Sequence, residues 1–371
     1  MDVRPFLKTM IDRKASDLFI TAGFPPSAKI DGELTPLRET SFSPAQSLDF
    51  VESLMTDEQK KEFHDTRECN FAFALQDLGR FRVSAFWQME ASGCVMRRIE
   101  TQIPDMDDLK LPLILKDLVM SKRGLIIMVG GTGTGKSTSL AALVGFRNAN
   151  SRGHILTIED PVEFVHKHRK CIVTQREVGI DTESFEAALK SSLRQAPDVI
   201  LIGEIRTQET MEFALAFAET GHLCMATLHA NNANQALDRI MNLVPDSKHR
   251  QLLFDLSLNL RGIVAQQLVP TVDGKGRRAA IEILINTPRI SSLIAKNELH
   301  LLKETMAKSN DQGMQTFDQA LLALYTSREI SYTNALHHAD SPNDLRLMIK
   351  LLSSEQTSSG FMEGVTLDID S

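Results

Sequence analysis

The 371-residue chain is short of cysteine, of aromatic residues and of long apolar runs, and it carries no excess of positive charge. Each shortage closes off a class of function. The four cysteines, Cys69, Cys94, Cys171 and Cys224, lie far apart with no Cys-x-x-Cys pair, which argues against a disulfide framework and against a cysteine-built zinc site. Lys and Arg number 41 against 48 Asp and Glu, a net charge of -7, so no global positive field is on hand to hold DNA or RNA. The longest apolar run, from Gly124 to Gly131, is far below the ~20 residues of a membrane span, and the opening residues alternate apolar side chains with charges. The expectation is a soluble cytoplasmic protein without a targeting signal and without a nucleic-acid partner.

What is present fits a folded chain, 42% hydrophobic and 24% charged, too long for one average domain. Residues 1–100 read as a small mixed α+β domain. Strands are expected at 18–23 and 28–37, the second folded at Asp31-Gly32, and Ser43 with Gln46 forms a capping box that opens a helix running to Phe63. In GRFRVSAFWQ the two-residue period sets Phe81, Val83, Ala85 and Trp87 on one face and Arg80, Arg82 and Ser84 on the other, so Arg82 is displayed. Residues 101–112, acidic and marked by Pro104 and Pro112, read as a linker. From 113 to 270, nearly continuous apolar strands alternate with helices, as in a doubly wound α/β domain whose parallel strands are buried on both faces. Residues 271–355 read as mostly helical, and 356–371 as a loose acidic tail.

The strongest chemical signal is Gly130-Gly131-Thr132-Gly133-Thr134-Gly135-Lys136-Ser137, followed by Thr138, between an apolar strand and a helix. Glycines let backbone N–H groups at the helix start point at phosphate oxygens, Lys136 reaches the β and γ phosphates, and Ser137 joins the shell of a Mg²⁺ ion. ATP is the expected ligand. A partner carboxylate is needed at the end of a neighbouring strand. DVILIGE supplies Glu204 there, to hold Mg²⁺ or polarise water, with Arg206 placed to answer charge on the γ phosphate; Asp198 lies at the wrong end. HILTIEDPVEF ends in Glu159, Asp160 and Glu163, of which one can act as general base while another binds Mg²⁺; Asp160 reads equally well as a surface turn. His222 and His229 bracket one strand and stand roughly 23 Å apart if it is extended, so they cannot share a metal. His229 falls on the nucleotide edge and His222 on the far edge, in a structural or subunit-contact role. His166 and His168 read as a solvated basic loop.

Four ordered motifs, GGTGTGKST, TIEDPVEF, DVILIGEIR and TGHLCMATLHANNA, closely resemble those of the secretion and type IV pilus motor ATPases, within them the pilus retraction ATPases of the PilT/PilU family. The resemblance covers nearly the whole chain. It implies an N-terminal PAS-like domain, a C-terminal RecA-like ATPase domain, and a cytoplasmic homohexamer that disassembles pili at an inner-membrane platform protein, touching the membrane only through partners. It also implies roles: Glu163 as proposed base, Glu204 as the Walker B glutamate, His222 and His229 as the His box, and Arg82 and Arg97 as arginines reaching the γ phosphate. Residues Arg289 to Glu298 match the retraction motif AIRNLIRE poorly, and GGTGTG replaces the commoner GPTGSG. Both departures resemble the PilU branch, accessory ATPases that work with a PilT-like partner. A nucleotide-binding structural subunit is the rival reading, and a RecA-like nucleic-acid translocase a second, disfavoured by the acidic charge.

Overall fold

A computed structural model of the chain describes residues 1–30, 32–75, 77–99 and 102–362, with side chains as far as 352. Asp31 of the expected hairpin, Glu100 and Thr101 at the expected boundary, and residues 363–371 of the expected tail lie outside the described residues. The chain divides into two compact units, one of Met1–Gln102 with Val162–Val165, the other of Ile103–Pro161 and the chain from His166 onward.

The first unit is built on an antiparallel sheet of β1 (Asp17–Thr21), β2 (Ser27–Ile30), β3 (Glu33–Pro36), β4 (Glu68–Leu75), β5 (Gly79–Gln88) and β6 (Ala91–Ile99), in the order β3-β2-β1-β6-β5-β4. Phe81, Val83 and Ala85 of β5 are buried with Leu7, Phe50 and Phe63 from three helices, while Trp87 is only half-buried. The helix that opens at Ser43 stops at Glu52 instead of running to Phe63. Thr56 and Gln59 form a second capping box, each side chain satisfying the other's backbone N–H, and a second helix starts at Asp57.

The second unit holds β7 (Gly124–Val129), β8 (Gly153–Glu159), β9 (Cys171–Glu177), β10 (Val199–Ile202), β11 (Leu223–Leu228), β12 (Leu260–Pro270) and β13 (Arg277–Ile285), ordered β13-β12-β7-β11-β10-β8-β9. All neighbours pair in parallel except β13 with β12. Leu125, Ile127 and Val129 enter one core with the helix Gln208–Glu219, and Ile126 and Met128 enter the other with the helix Lys136–Asn150. Burial on both faces explains why β7 reads as an unbroken apolar run. The parallel order also sends the C-terminal ends of β7, β8, β10 and β11 to one edge, which is where the candidate site forms.

Some segments depart from the sequence reading. The stretch after β8, read as a loop, contains β9 and the helix Phe185–Ser192. Residues 271–355 open with β13, so the expected boundary at 270 falls inside a two-stranded hairpin of the main sheet. Met106 and Leu111, in the segment expected to link domains, are buried in the second unit's core. His166 is half-buried while His168 is exposed, and burial, aided by Arg169, pushes the His166 imidazole down to about 4.

β13 also carries a buried carboxylate. Glu282 is 2% exposed and accepts a hydrogen bond from the Ala233 N–H at 2.8 Å. Burial outweighs that bond and pushes its pKa up to about 7. A raised carboxyl pKa means that folding favours the protonated form, so its contribution is fully present below the unfolded value near 4.5 and is lost as pH rises through about 7. Urea unfolding should show Glu282→Gln gaining up to about 3 kcal/mol over wild type between pH 4.5 and 8. A difference that stays flat with pH would refute the assignment.

Candidate functional site

The loop after β7 is shaped by its glycines. Gly130, Gly133 and Gly135 have φ of 155°, 78° and 82°, which side-chain-bearing residues rarely adopt. Two of them are also walled in. A Cβ on Gly130 would stand 2.7 Å from the Gln266 carbonyl oxygen and 2.6 Å from Thr134 Oγ1; one on Gly135 would stand 2.9 Å from Gln266 Nε2. Gly135 caps the helix Lys136–Asn150 without any side-chain cap bond, which leaves first-turn N–H groups directed at whatever occupies the loop. Lys136, 8% exposed, folds back over the loop and donates to the carbonyls of Gly130 (2.6 Å) and Gly131 (2.7 Å). Ser137 and Thr138 follow, half-buried, while Thr132 and Gly133 stand exposed at the tip.

Strand register brings the other groups alongside. Val129 of β7 pairs with Leu228 of β11, so Gly130 and His229 leave the sheet level with each other. Gly131 and His229 line one cavity of about 490 Å³ together with Asn231, Gln235 and Arg239. Glu204 lies two residues beyond β10, in a turn pinned by Gly203 N to Ile158 O (2.7 Å), Ile205 N to Thr227 O (2.9 Å) and the Thr227 hydroxyl donating to Gly203 O. Its side chain is 14% exposed and held from two sides: Arg206 Nε donates to one carboxylate oxygen at 2.6 Å, and His229 Nε2 lies 3.4 Å from the other. Arg206 also reaches within 3.9 Å of Asp160. Such an arrangement confines a carboxylate, a cation and an imidazole beside a ready anion cradle, as transfer of a phosphoryl group to water requires.

The remaining residues are placed as follows. Glu159 ends β8, where its carboxylate accepts from Thr157 Oγ1 (2.6 Å) and Gln175 Nε2 (3.2 Å). Glu163 is exposed and belongs, with Val162–Val165, to the first unit. Arg82 is half-buried there, directly opposite Arg97 on β6; Arg97, 72% exposed, donates through Nε to the buried Asp17 at 2.7 Å. His222 precedes β11 at the opposite end from His229, its Nδ1 near Thr220 Oγ1 (3.1 Å) and Phe217 O (3.2 Å) and its ring edge-on to Phe217. Gln266 lies outside the sequence motifs and is marked only as one of two glutamines in the apolar run IVAQQLV of β12.

The model of the Type II/IV secretion system protein family matches residues 2–331. The chain belongs to this family. The type IV pilus ATPase PilU of Pseudomonas aeruginosa is 60% identical over 371 residues, covering 100% of this chain and 97% of that protein. PilT of the same organism, a type IV pilus retraction ATPase, is 38% identical over 93% of this chain and 100% of its own length. The crystal structure of the pilus retraction motor PilT with bound ADP superimposes with a TM-score of 0.87 at 37% identity, covering 93% of this chain and 99% of the other. The chain is an ATPase of the pilus retraction branch of the family.

Proposed function

We propose that the chain is an ATP-hydrolysing motor that powers or assists type IV pilus retraction, working as a homohexamer beside a related PilT-like retraction ATPase at an inner-membrane platform protein. The observation that carries it is Glu204, gripped by Arg206 and His229, at a cavity that His229 shares with Gly131 of the phosphate loop. The end-to-end likeness to PilU and PilT adds the biological setting. Among the described residues no helix is long and apolar enough to cross a membrane.

In this reading residues 1–102 with 162–165 are a PAS-like domain, and 103–161 with the chain from 166 onward are a RecA-like core whose sheet extends through β13 into a mostly helical region. Lys136 leaves the carbonyls of Gly130 and Gly131 to meet the β and γ phosphates, and the N–H groups of residues 131–138 hold the phosphate chain. Mg²⁺ takes oxygen ligands and is commonly held by one or two protein oxygens together with phosphate oxygens and water. The Ser137 hydroxyl and Glu204 fit Mg²⁺ in that setting, and the ion would offset phosphate charge. Glu163 serves as general base, Glu159 is a further catalytic acid at the end of β8, and Arg206 and His229 turn toward the γ phosphate. Arg82 and Arg97 bring further positive charge from the N-terminal unit, and His222 acts in a structural or subunit-contact role.

Lys136→Ala tests motor against scaffold. Purified variant should hydrolyse Mg-ATP at under about 1% of the wild-type rate, and cells carrying only the variant should fail to restore pilus retraction. Full restoration of retraction by Lys136→Ala would reject the motor and leave a structural subunit.

A further inference from the structure

We infer that Gln266 is a positioning residue for the phosphate grip, acting on the nucleotide through the loop and helix it ties together. This rests on the reading of residues 130–138 as a nucleotide loop. Gln266 is 2% exposed, in the strand β12 next to β7. Its amide makes two directed bonds: Nε2 donates to the Thr134 carbonyl at 2.9 Å, and Oε1 accepts from Ser139 Oγ at 2.8 Å. Thr134 is the last but one residue of the loop, and Ser139 lies in the first turn of the helix whose N-terminus faces the phosphates. One side chain thus spans the junction at which the backbone switches from the left-handed Gly135 into the helix.

The contact extends to both glycines that bound the loop. The Gln266 backbone carbonyl fills the space a side chain at Gly130 would need, and its amide nitrogen fills the space at Gly135. An amide suits the task because it offers a donor and an acceptor a fixed distance apart in one plane; a hydrocarbon offers neither, and a carboxylate would set an acceptor against the Thr134 carbonyl. The next residue shows that β12 is itself held: Gln267 points to the opposite face of the sheet, where its Nε2 donates to His338 O at 3.3 Å and its Oε1 lies 3.2 Å from His338 Nδ1. Both glutamines of this strand therefore fasten distant segments, and the strand carrying Gln266 gives a stiff reference against which loop geometry is set.

A residue acting this way should govern how tightly phosphate is held more than how fast bound ATP is cleaved. In full-length protein, Gln266→Leu should raise KM for Mg-ATP and Kd for Mg-ADP about tenfold, with kcat changed less than about threefold. Ser139→Ala should weaken ADP binding in the same direction by a smaller factor and should add little to Gln266→Leu in the double variant. Gln266→Glu should bind ADP no better than Gln266→Leu. If Gln266→Leu does not fold, Ser139→Ala and Gln266→Glu carry the test. ADP binding within twofold of wild type in Gln266→Leu, or in both other variants, would overturn the inference. So would equal falls in kcat and affinity alongside a lowered nucleotide-free melting temperature, which mark a merely structural role. Wild-type protein that bound no Mg-ADP would instead overturn the nucleotide loop itself, and this inference with it.

Discussion

Glu204→Gln is expected to lower Mg-ATP turnover by about 10²–10³-fold while leaving Mg-ADP affinity within a fewfold of wild type. Glutamine keeps the shape and length of the side chain, so the turn pinned by Thr227 and Ile158 should survive intact. What vanishes is the negative charge that draws Arg206 to 2.6 Å and holds His229 within 3.4 Å. That charge works in a largely enclosed setting, where electrostatic interactions are stronger than in bulk water. Hydrolysis needs water and leaving phosphate aligned against fixed charges, whereas binding of ADP rests on the loop and Lys136; the two measurements should therefore separate. Phosphate release followed with a coupled assay, beside calorimetric titration of Mg-ADP, reads both. Turnover within threefold of wild type would remove Glu204 from the chemistry.

How much of this was legible beforehand depended on whether the information was local. The phosphate loop was readable because its glycines encode backbone angles, and those requirements do not change with the rest of the fold. The position of Glu204 at the sheet edge was readable because a nearly continuous apolar run fits a strand buried on both faces of a parallel sheet, and such sheets gather ligand groups at one edge. The second capping box, Thr56 with Gln59, was equally local, but the apolar periodicity across residues 48–63 masked it. β13 was illegible for a different reason: Ala280 and Leu284 enter one core and Ile281 and Ile283 the other, with Glu282 buried between, so no polar face marks the strand. Gln266 could not have been singled out because its partners, Thr134 and Ser139, lie more than 120 residues away in sequence. The same holds for His166, whose low pKa reflects burial that composition does not encode.

The glycines of the loop give the second large effect, and they make an internal comparison. Gly130→Ala should reduce Mg-ADP affinity by more than about 100-fold and abolish measurable turnover. Two causes act together: φ at 155° strains any L residue by about 1–3 kcal/mol, and the new Cβ would sit 2.7 Å from a backbone carbonyl of β12 that cannot rotate aside. Gly131→Ala, one residue along, meets nothing nearer than the Thr134 methyl at 3.9 Å and has no positive φ, so its turnover should stay within about threefold of wild type. Gly133→Ala separates the two causes, because its φ is 78° while no atom lies within 4 Å of the added methyl; it should fall between the others, at a loss of about 1–2 kcal/mol. Should Gly131→Ala prove as damaging as Gly130→Ala, the wall formed by Gln266 would not be what sets the loop, and mere bulk near the phosphates would account for both. The order 131, 133, 130 in rising severity follows only if backbone angle and the fixed carbonyl of β12 act as separate constraints on one cradle.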